Sequence, residues 1–216
     1  MMDAGNFIQA AAIYALPIIF AITFHEAAHG YVAKHFGDMT AYLQGRVSLN
    51  PLHHIDPIGT IVIPLVSLAL GGFLFGWAKP VPINFSALRH PKKDMLWVAI
   101  AGPASNLIMA LIWAFMLKLA TWMPGNYFAS PLSVMATMGV KINIVLMMLN
   151  LLPIPPLDGG RVMVSLLPAR QSYQLAKIEP YGIIILVVLL FSGLLGAILG
   201  PLMSVAVHLI LSLFGL

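Results

Sequence analysis

The stretch Phe24-His25-Glu26-Ala27-Ala28-His29-Gly30 contains the pattern H-E-x-x-H and lies inside an apolar run from Phe7 to Phe36. On a helix, His25 and His29 are one turn apart on one face, so both imidazoles can reach a single zinc ion. Glu26 then points toward a water molecule on that ion. Because the run is long enough to cross a lipid bilayer, the sequence predicts a zinc site of the hydrolytic kind inside a membrane helix.

An alternative is that the two histidines and the glutamate only hydrogen-bond to neighbouring helices. A carboxylate near the middle of a membrane helix costs about 2.5–3.5 kcal/mol on insertion scales. Ionisable groups at that depth generally face an interior site and have a function there. The position of the motif therefore favours a functional site over packing.

The composition is that of an integral membrane protein. Hydrophobic residues make up 60% of the 216 residues and charged residues 8%, whereas soluble domains are about 25% charged. We predict one all-α, polytopic domain with about five to six membrane segments in the lipid bilayer. The net charge of +4 comes from lysines and arginines in short loops. It is interpreted as a topology signal, with no nucleic acid as partner.

The chain contains no cysteine, which excludes disulfides, a thiol nucleophile and thiolate metal ligands. A metal ion must therefore be held by histidine, aspartate or glutamate. The first apolar run follows Met1-Met2-Asp3, has no basic region before it and is too long for a signal peptide. We expect it to remain in the protein together with its motif.

Apolar stretches separated by short polar loops give the expected organisation. Residues 40–50 mix β-branched and aromatic residues and predict a short β-hairpin, whereas alternating prolines make residues 77–85 extended. Gly200-Pro201 interrupts the last stretch and leaves open whether it crosses the membrane once or twice. The predicted parts are a helix at 7–36, a hairpin and re-entrant region at 40–94, a helix at 95–122, a helix with an unwound segment at 132–160, and one or two helices at 181–216.

The depth of a third metal ligand constrains the topology. The two histidines lie in the far half of the first helix, and Asp158 follows the far end of the apolar stretch 132–152. For them to meet, both helices must run in the same direction, so the chain between them crosses the membrane an odd number of times. The stretch 95–122 supplies one crossing, and the stretch 58–75 is therefore predicted to be re-entrant.

Basic residues agree with this topology. Nine of them fall on one side of the membrane, Lys118 falls on the other, and Lys141 lies inside a span. An excess of lysine and arginine identifies the cytoplasmic side. We predict a multi-pass protein of the cell membrane with its active site in the cytoplasmic half. The nine residues are Lys34, Arg46, Lys79, Arg89, Lys92, Lys93, Arg161, Arg170 and Lys177.

The segment from Asn150 to Gly160, Asn-Leu-Leu-Pro-Ile-Pro-Pro-Leu-Asp-Gly-Gly, carries the candidate third ligand. Its three prolines unwind a helix, and the two glycines allow a sharp turn directly after Asp158. Asp158 would complete a His-His-Asp set for one zinc ion per chain and leave the fourth position open. Alternatively, Asp158 caps a short helix that begins near Arg161. The H-E-x-x-H pattern favours the ligand.

Further polar residues are weaker candidates. Asn143 and Asn150 are seven residues apart on one helix face and could donate hydrogen bonds to an oxyanion. An interhelical hydrogen bond explains Asn143 at least as well. Asn106 is interpreted as a residue that packs helices together rather than as a catalytic residue. His53 and His54 either enter the active-site cavity or lie at the membrane interface, and the sequence favours neither.

These motifs together resemble the site-2 protease family of intramembrane zinc metalloproteases. The resemblance rests on Phe24 to Gly30, on Ala101-Gly102-Pro103-Ala104-Ser105-Asn106 and on Asn150 to Gly160, which together span most of the chain. Residues 40–94 are also similar to the cytoplasmic-side hairpin and re-entrant region of that family.

The resemblance implies an enzyme for regulated intramembrane proteolysis that cleaves transmembrane helices of membrane-protein substrates. It implies the two histidines and Asp158 as zinc ligands and Glu26 as general base. Asn150 is implied to position the substrate or to stabilise the oxyanion. The length resembles compact members that lack a PDZ domain.

Other classes of protein compete with this interpretation. A membrane metal-ion transporter or metal-binding protein could use the same histidines and acids, but it predicts repeated halves, which the sequence lacks. Serine or aspartyl intramembrane proteases would need Gly-x-Ser or Gly-x-Gly-Asp, and neither is present. A zinc protease of the prenyl-protein-processing kind would take a later glutamate as third ligand, and the only one is Glu179.

Overall fold

A computed structural model of the chain describes residues 4–62 and 79–216. Within these ranges the chain is helical and has no β-strand. Four helical stretches are long and apolar enough to cross a membrane, which confirms the prediction of an all-α, multi-pass membrane protein. They are Pro91–Thr121, Ala129–Asn150, Ala169–Phe191 and Leu194–Leu213.

Short loops and single helical turns join the α-helices, except between Leu43 and Pro91, where residues 63–78 lie outside the described part of the chain. The turns lie at Pro51–His54, Pro57–Val62, Phe85–Ala87 and Glu179–Tyr181. The helices are α1 (Ala4–His35), α2 (Thr40–Leu43), α3 (Pro91–Thr121), α4 (Ala129–Asn150), α5 (Asp158–Leu166), α6 (Ala169–Ala176), α7 (Gly182–Phe191) and α8 (Leu194–Leu213).

Helices α1, α3 and α4 form the centre of the bundle. The contact between α3 and α4 is the largest, and α1 packs against both. Gly139 of α4 lies against the indole of Trp113, so closely that a Cβ at this position would overlap the ring. Around this contact, small and branched side chains of both helices form a buried core to which α8 adds Ile210. Close approach through small residues is how membrane helices commonly pack.

Residue pairs between the three central helices give their directions. Contacts run in opposite orders along α1 and α3, and again along α3 and α4, so α1 and α4 run in the same direction. This is the relation that a shared site at the ends of α1 and α4 requires. The pairs are Ala21 with Asn106, His29 with Val98, Asn106 with Asn143, and Trp113 with Gly139.

Helix α8 ends beside the end of α3. Lys118 Nζ donates a hydrogen bond to the Gly215 carbonyl at 3.1 Å, and the rings of Phe115 and Phe214 are 6.4 Å apart. Residues of α8 back to Met203 pack along the core of α3 and α4. Helix α8 therefore runs in the same direction as α3.

The hairpin predicted for residues 40–50 is wrong, because these residues form a helical turn and irregular loop. Asp38 Oδ1 accepts a hydrogen bond from the Thr40 N–H at 2.9 Å, and α2 follows directly. Gly45, at φ +64°, then reverses the chain with a backbone conformation that favours glycine. A local hydrogen bond from the backbone to the Asp38 side chain thus favours a turn over the β propensity of the residues that follow.

Two other boundaries bear on the predicted topology. Of residues 77–85, predicted to be extended, residues 79–84 are not helical, Phe85 begins the turn Phe85–Ala87, and residues 77 and 78 lie outside the described ranges. The stretch 58–75 begins with the helical turn Pro57–Val62, but its remainder lies outside the described residues. The interruption predicted at Gly200-Pro201 is wrong, since Pro201 lies inside α8 and the break is at Gly193, at φ +74°.

Candidate metal centre

The side chains of His25, His29 and Asp158 meet between α1, α3 and the start of α5. One ligand atom from each lies within 4.8 Å of the other two. His25 Nε2 is 3.2 Å from Asp158 Oδ2, and His29 Nε2 is 3.3 Å from Asp158 Oδ1. Both histidines are buried, with 7% and 6% of their surface exposed. Residues 129 positions apart in sequence thus form a compact set of two nitrogens and a carboxylate.

Hydrogen bonds to the other ring nitrogens fix the tautomers of both histidines. His25 Nδ1 is 2.6 Å from Asn106 Oδ1, and His29 Nδ1 is 2.7 Å from the Val98 carbonyl. Both oxygens can only accept, so each Nδ1 carries a proton, and in a neutral ring the Nε2 then presents a lone pair. The orientation of the Asn106 amide is set by its Nδ2, which donates to the Ala21 carbonyl at 3.2 Å.

The donor set fits a metal ion. The two Nε2 atoms are 3.1 Å apart, and two neutral rings with their protons on Nδ1 have no proton to share between them. Asp158 Oδ2 is buried and accepts no hydrogen bond. A buried carboxylate oxygen without a donor and two converging lone pairs are costly unless a cation lies between them. Two imidazole nitrogens and a carboxylate are ligands that zinc prefers.

Gly102 on α3 leaves room for this arrangement. A Cβ at Gly102 would overlap His29 Nε2 and would lie 2.5 Å from His25 Cε1. Any larger residue would therefore occupy the space where the lone pairs converge. Val98, Gly102 and Asn106 are spaced four residues apart and therefore lie on one face of α3. This face leaves room for the two imidazoles at Gly102 and supplies the acceptors for both Nδ1 atoms.

Asp158 is brought to the centre by the unwound segment after α4. Helix α4 ends at Asn150, and α5 begins at Asp158 itself. Gly159 lies against the Leu151 carbonyl so closely that a Cβ would overlap it, so the segment folds back on the end of α4. Among the described residues no backbone N–H donates to the Asp158 carboxylate, so the alternative that Asp158 caps a helix has no support.

The Glu26 carboxylate is held by the extended segment 79–84. Val81 N–H donates to Glu26 Oε2 at 2.8 Å. One turn further along α1, Gly30 has no side chain, and the methyl groups of Val47 and Val81 pack where its Cβ would be. Arg46 Nη2 donates to the carbonyls of Lys79 and Pro80 at 3.1 and 3.3 Å and fixes the same segment from the other side.

Two of the three candidate asparagines belong to the hydrogen-bond network that supports the centre. Asn106 and Asn143 are fully buried, and Asn106 Nδ2 donates to Asn143 Oδ1 at 3.0 Å. Asn143 Nδ2 donates in turn to the Gly139 carbonyl at 2.8 Å. The structure thus places Asn143 in an interhelical hydrogen bond. Asn150 Nδ2 donates to the Leu146 carbonyl of its own helix at 3.0 Å.

His53 and His54 lie on the turn Pro51–His54, which packs on α1. His54 is buried, its Nε2 is 2.8 Å from the Ser48 carbonyl, and its Nδ1 has no partner in the part of the chain that the structure describes. His53 is exposed and lines a surface cavity with Arg46 and Lys79. No hydrogen bond between described residues joins either histidine to the metal centre, so their role stays a prediction.

Two groups that matter at the centre carry no signal in the sequence. Val98 and Val81 act through their backbone carbonyl and backbone N–H, and no side-chain motif signals either. The spacing Val98, Gly102, Asn106 could have indicated Val98, because these residues lie on one helix face. Nothing in the sequence pairs Val81 with Glu26, 55 residues away.

Two histidines one turn apart and an aspartate after a proline-broken segment form a candidate metal centre inside a bundle of apolar helices. Comparison with known proteins gives the family. The family model described as Peptidase family M50 matches residues 118–193. The chain belongs to that family, the site-2 protease family, and is a zinc metallopeptidase.

Three relatives support this assignment. YwhC of Bacillus subtilis, named as a zinc metalloprotease, is 40% identical over 202 residues, which cover 92% of this chain and 89% of that protein. Rip2 of Mycolicibacterium smegmatis, also named as a zinc metalloprotease, is 33% identical over 81% of this chain and 64% of its own length. Rip2 of Mycobacterium tuberculosis H37Rv is 27% identical over 86% and 68%. No solved structure matched the chain.

Proposed function

We propose that the chain hydrolyses peptide bonds of membrane-spanning helices at a zinc ion held by His25, His29 and Asp158. The convergence of three ligand atoms, with both imidazole tautomers fixed by acceptors, carries this proposal. Catalytic zinc sites use three protein ligands and keep one position for water or substrate. We therefore expect one zinc ion per chain.

Zinc, when bound, supplies a Lewis acid that activates water and polarises the scissile carbonyl. Glu26 acts as the general base. The Val81 N–H holds Oε2 of its carboxylate, which leaves Oε1 to take the proton and pass it to the leaving amine. His25 and His29 keep their Nδ1 protons throughout, because Asn106 and Val98 only accept.

Asn150 is the candidate for contact with the substrate backbone. Its amide nitrogen has two hydrogens, and the Leu146 carbonyl takes one of them. The second hydrogen can bind a substrate carbonyl or a developing oxyanion. Asn143 is a poorer candidate, because the Gly139 carbonyl and Asn106 already engage both ends of its amide.

The expected substrates are transmembrane segments of other membrane proteins. The centre is buried among helices that are apolar enough to span a membrane, so a peptide bond must reach it from within the bilayer. Among the names of the relatives only the term zinc metalloprotease appears, and a metal-ion transporter is accordingly not favoured. We propose that residues 1–216 form a single protease domain of the cell membrane.

We also propose that the segment after Pro57 is re-entrant and that the centre lies in the cytoplasmic half of the membrane. The Lys79 N–H donates to the His54 carbonyl at 2.9 Å, so the residues on either side of the predicted re-entrant segment lie next to each other. An even number of crossings between these residues agrees with the opposite directions of α1 and α3. The nine basic residues then share one side, which the positive-inside rule makes cytoplasmic.

The test is cleavage of a transmembrane substrate by purified protein in lipid, with zinc measured in the same samples. Glu26→Gln should keep the zinc and lose at least 10²-fold in cleavage rate, because only the proton acceptor is removed. Removal of zinc by a chelator should abolish cleavage, and added zinc should restore it. Full activity of Glu26→Gln, or of the metal-free protein, would contradict the proposal.

A further inference from the structure

Lys141 lies near the middle of the membrane-spanning helix α4 and is exposed. It is 12 residues from Ala129 and nine from Asn150, or roughly 18 and 14 Å from the helix ends. It is two residues from the buried Asn143, which faces α3, and so lies about 200° around the helix on the outer face. A lysine at this depth faces lipid or another protein.

The side chain is too short to reach water. A helical side chain leans toward the N-terminus of its helix, which for Lys141 is the more distant end. The stem of lysine spans roughly 6 Å, so an ammonium that starts about 18 Å from that end remains in the apolar region. A charged group held there is costly unless an opposite charge accompanies it.

Within residues 4–62 and 79–216, no acidic side chain is paired with Lys141. Asp3 lies outside the described residues. Residues 63–78 contain no acid. The other six interact elsewhere: Glu26 with Val81, Asp38 with Thr40 and Asn84, Asp56 with Ile58 and Gly59, Asp94 with His90, Asp158 with the two histidines, and Glu179 with Arg161.

We infer that Lys141 is a docking point for a membrane-spanning helix of another protein that carries an aspartate or glutamate near its middle. The six acids that the structure describes are engaged in the same way in a second copy of this chain, which favours a different protein as the partner. The carboxylate would neutralise the ammonium inside the bilayer, and the outer face of α4 would receive the partner's apolar side chains. This docking point is independent of the zinc chemistry proposed for the opposite face of α4.

The experiment measures association of the protein with a dye-labelled, 21-residue leucine–alanine transmembrane peptide in zwitterionic bilayers by energy transfer. All arms carry Glu26→Gln so that the peptide is not cut. A peptide with a central glutamate should bind about 5- to 30-fold more tightly than one with a central glutamine. Lys141→Met should abolish the difference, and Lys141→Arg should retain it.

Lys118→Met is the matched control, because Lys118 lies at a helix end and already donates to the Gly215 carbonyl. It should leave the preference for glutamate unchanged. A charge swap tests the pairing itself: Lys141→Glu should prefer a peptide with a central lysine. Equal binding of the glutamate and glutamine peptides, or a preference that survives Lys141→Met, would overturn the inference. Equal binding would mean that lipid phosphate or water already compensates the charge of the Lys141 ammonium.

Discussion

His25 is held by a directed chain of hydrogen bonds that begins on α4. The Gly139 carbonyl accepts from Asn143, Asn143 accepts from Asn106, and Asn106 accepts from His25 Nδ1. Each amide therefore has its donor and acceptor ends fixed by a neighbour that can play only one role. The result is a His25 ring whose tautomer and orientation are set before any metal arrives.

Asn106→Ala should weaken zinc binding about 10- to 100-fold, because the Nδ1 proton of His25 loses its acceptor and the ring can rotate or change tautomer. The measurement is competition with a zinc chelator of known affinity. Asn126→Ala, in the exposed loop after α3, is the control and should bind zinc normally. An Asn106→Ala protein with unchanged zinc affinity would show that the hydrogen bond only packs the helices.

Gly102→Ala should abolish zinc binding, because the added Cβ overlaps His29 Nε2. Gly196→Ala and Gly200→Ala are matched controls in α8, where a Cβ meets open space. Both should bind zinc normally, and α8 should gain up to about 1 kcal/mol of helix propensity each. Zinc content measured per folded chain distinguishes the three variants. A zinc-replete Gly102→Ala protein would mean that the centre is wider than the structure shows.

At this scale the sequence predicted the meeting of His25, His29 and Asp158, and their geometry agrees. It interpreted Asn106 as packing, yet the amide contacts a candidate ligand. Periodicity alone cannot separate these two cases, because a residue on the packed face of α3 can face either a backbone carbonyl or a histidine. Which of them it meets depends on the register between helices.

Among the elements, the extended segment 79–84 has the most direct effect on the proposed general base. The segment lies beside α1 at Val81, whose N–H donates to Glu26. Arg46 donates to the carbonyls of Lys79 and Pro80 and so fixes the segment in place. Because both flanking residues are prolines, Val81 has the only backbone N–H in the tripeptide. A single backbone donor thus positions the carboxylate.

Val81→Pro should lower kcat about tenfold while KM and zinc content stay within a factor of two, because only the donor to Glu26 is removed. Val81→Ala keeps the N–H and should retain near-normal kcat. The measurement is steady-state cleavage of a transmembrane substrate by the two variants side by side. If Val81→Ala loses as much kcat as Val81→Pro, packing of the side chain and not the hydrogen bond positions Glu26.

The element boundaries show where local sequence signals mislead. Residues 40–50 have the composition of a strand, but Asp38 accepts the Thr40 N–H and begins a helical turn. Pro201 looks like a helix breaker and lies inside α8, whereas the less conspicuous Gly193 ends α7 by adopting a positive φ. Neighbouring helices can accommodate a proline within a membrane span, so its presence does not fix a boundary.

For the whole molecule, the parity argument from the sequence predicted that α1 and α4 run in the same direction, and the contacts between helices agree. The last stretch could not be predicted in the same way, because it carries no ligand that fixes its depth. The direction of α8 follows instead from the hydrogen bond between Lys118 and Gly215, which brings the ends of α3 and α8 together. Helix α8 then ends on the side opposite the metal centre.

Because the chain contains no cysteine, single-cysteine variants report this topology directly. In intact cells, an impermeant maleimide should label Asn126→Cys and Leu216→Cys, which lie beyond α3 and α8. Lys93→Cys and Arg170→Cys, at the starts of α3 and α6, should react only after the membrane is permeabilised. Protection of Leu216→Cys in cells that label Asn126→Cys would show that α8 runs opposite to α3.

The central claim is that His25, His29 and Asp158 together hold one zinc ion, and metal analysis of purified variants tests it most directly. The parent protein should hold about one zinc per chain. Asp158→Asn should lose most of it, because the neutral amide is a weaker ligand. Glu179→Gln, an acid that pairs with Arg161 on the surface, should retain it. An Asp158→Asn protein with a full zinc complement would contradict the account.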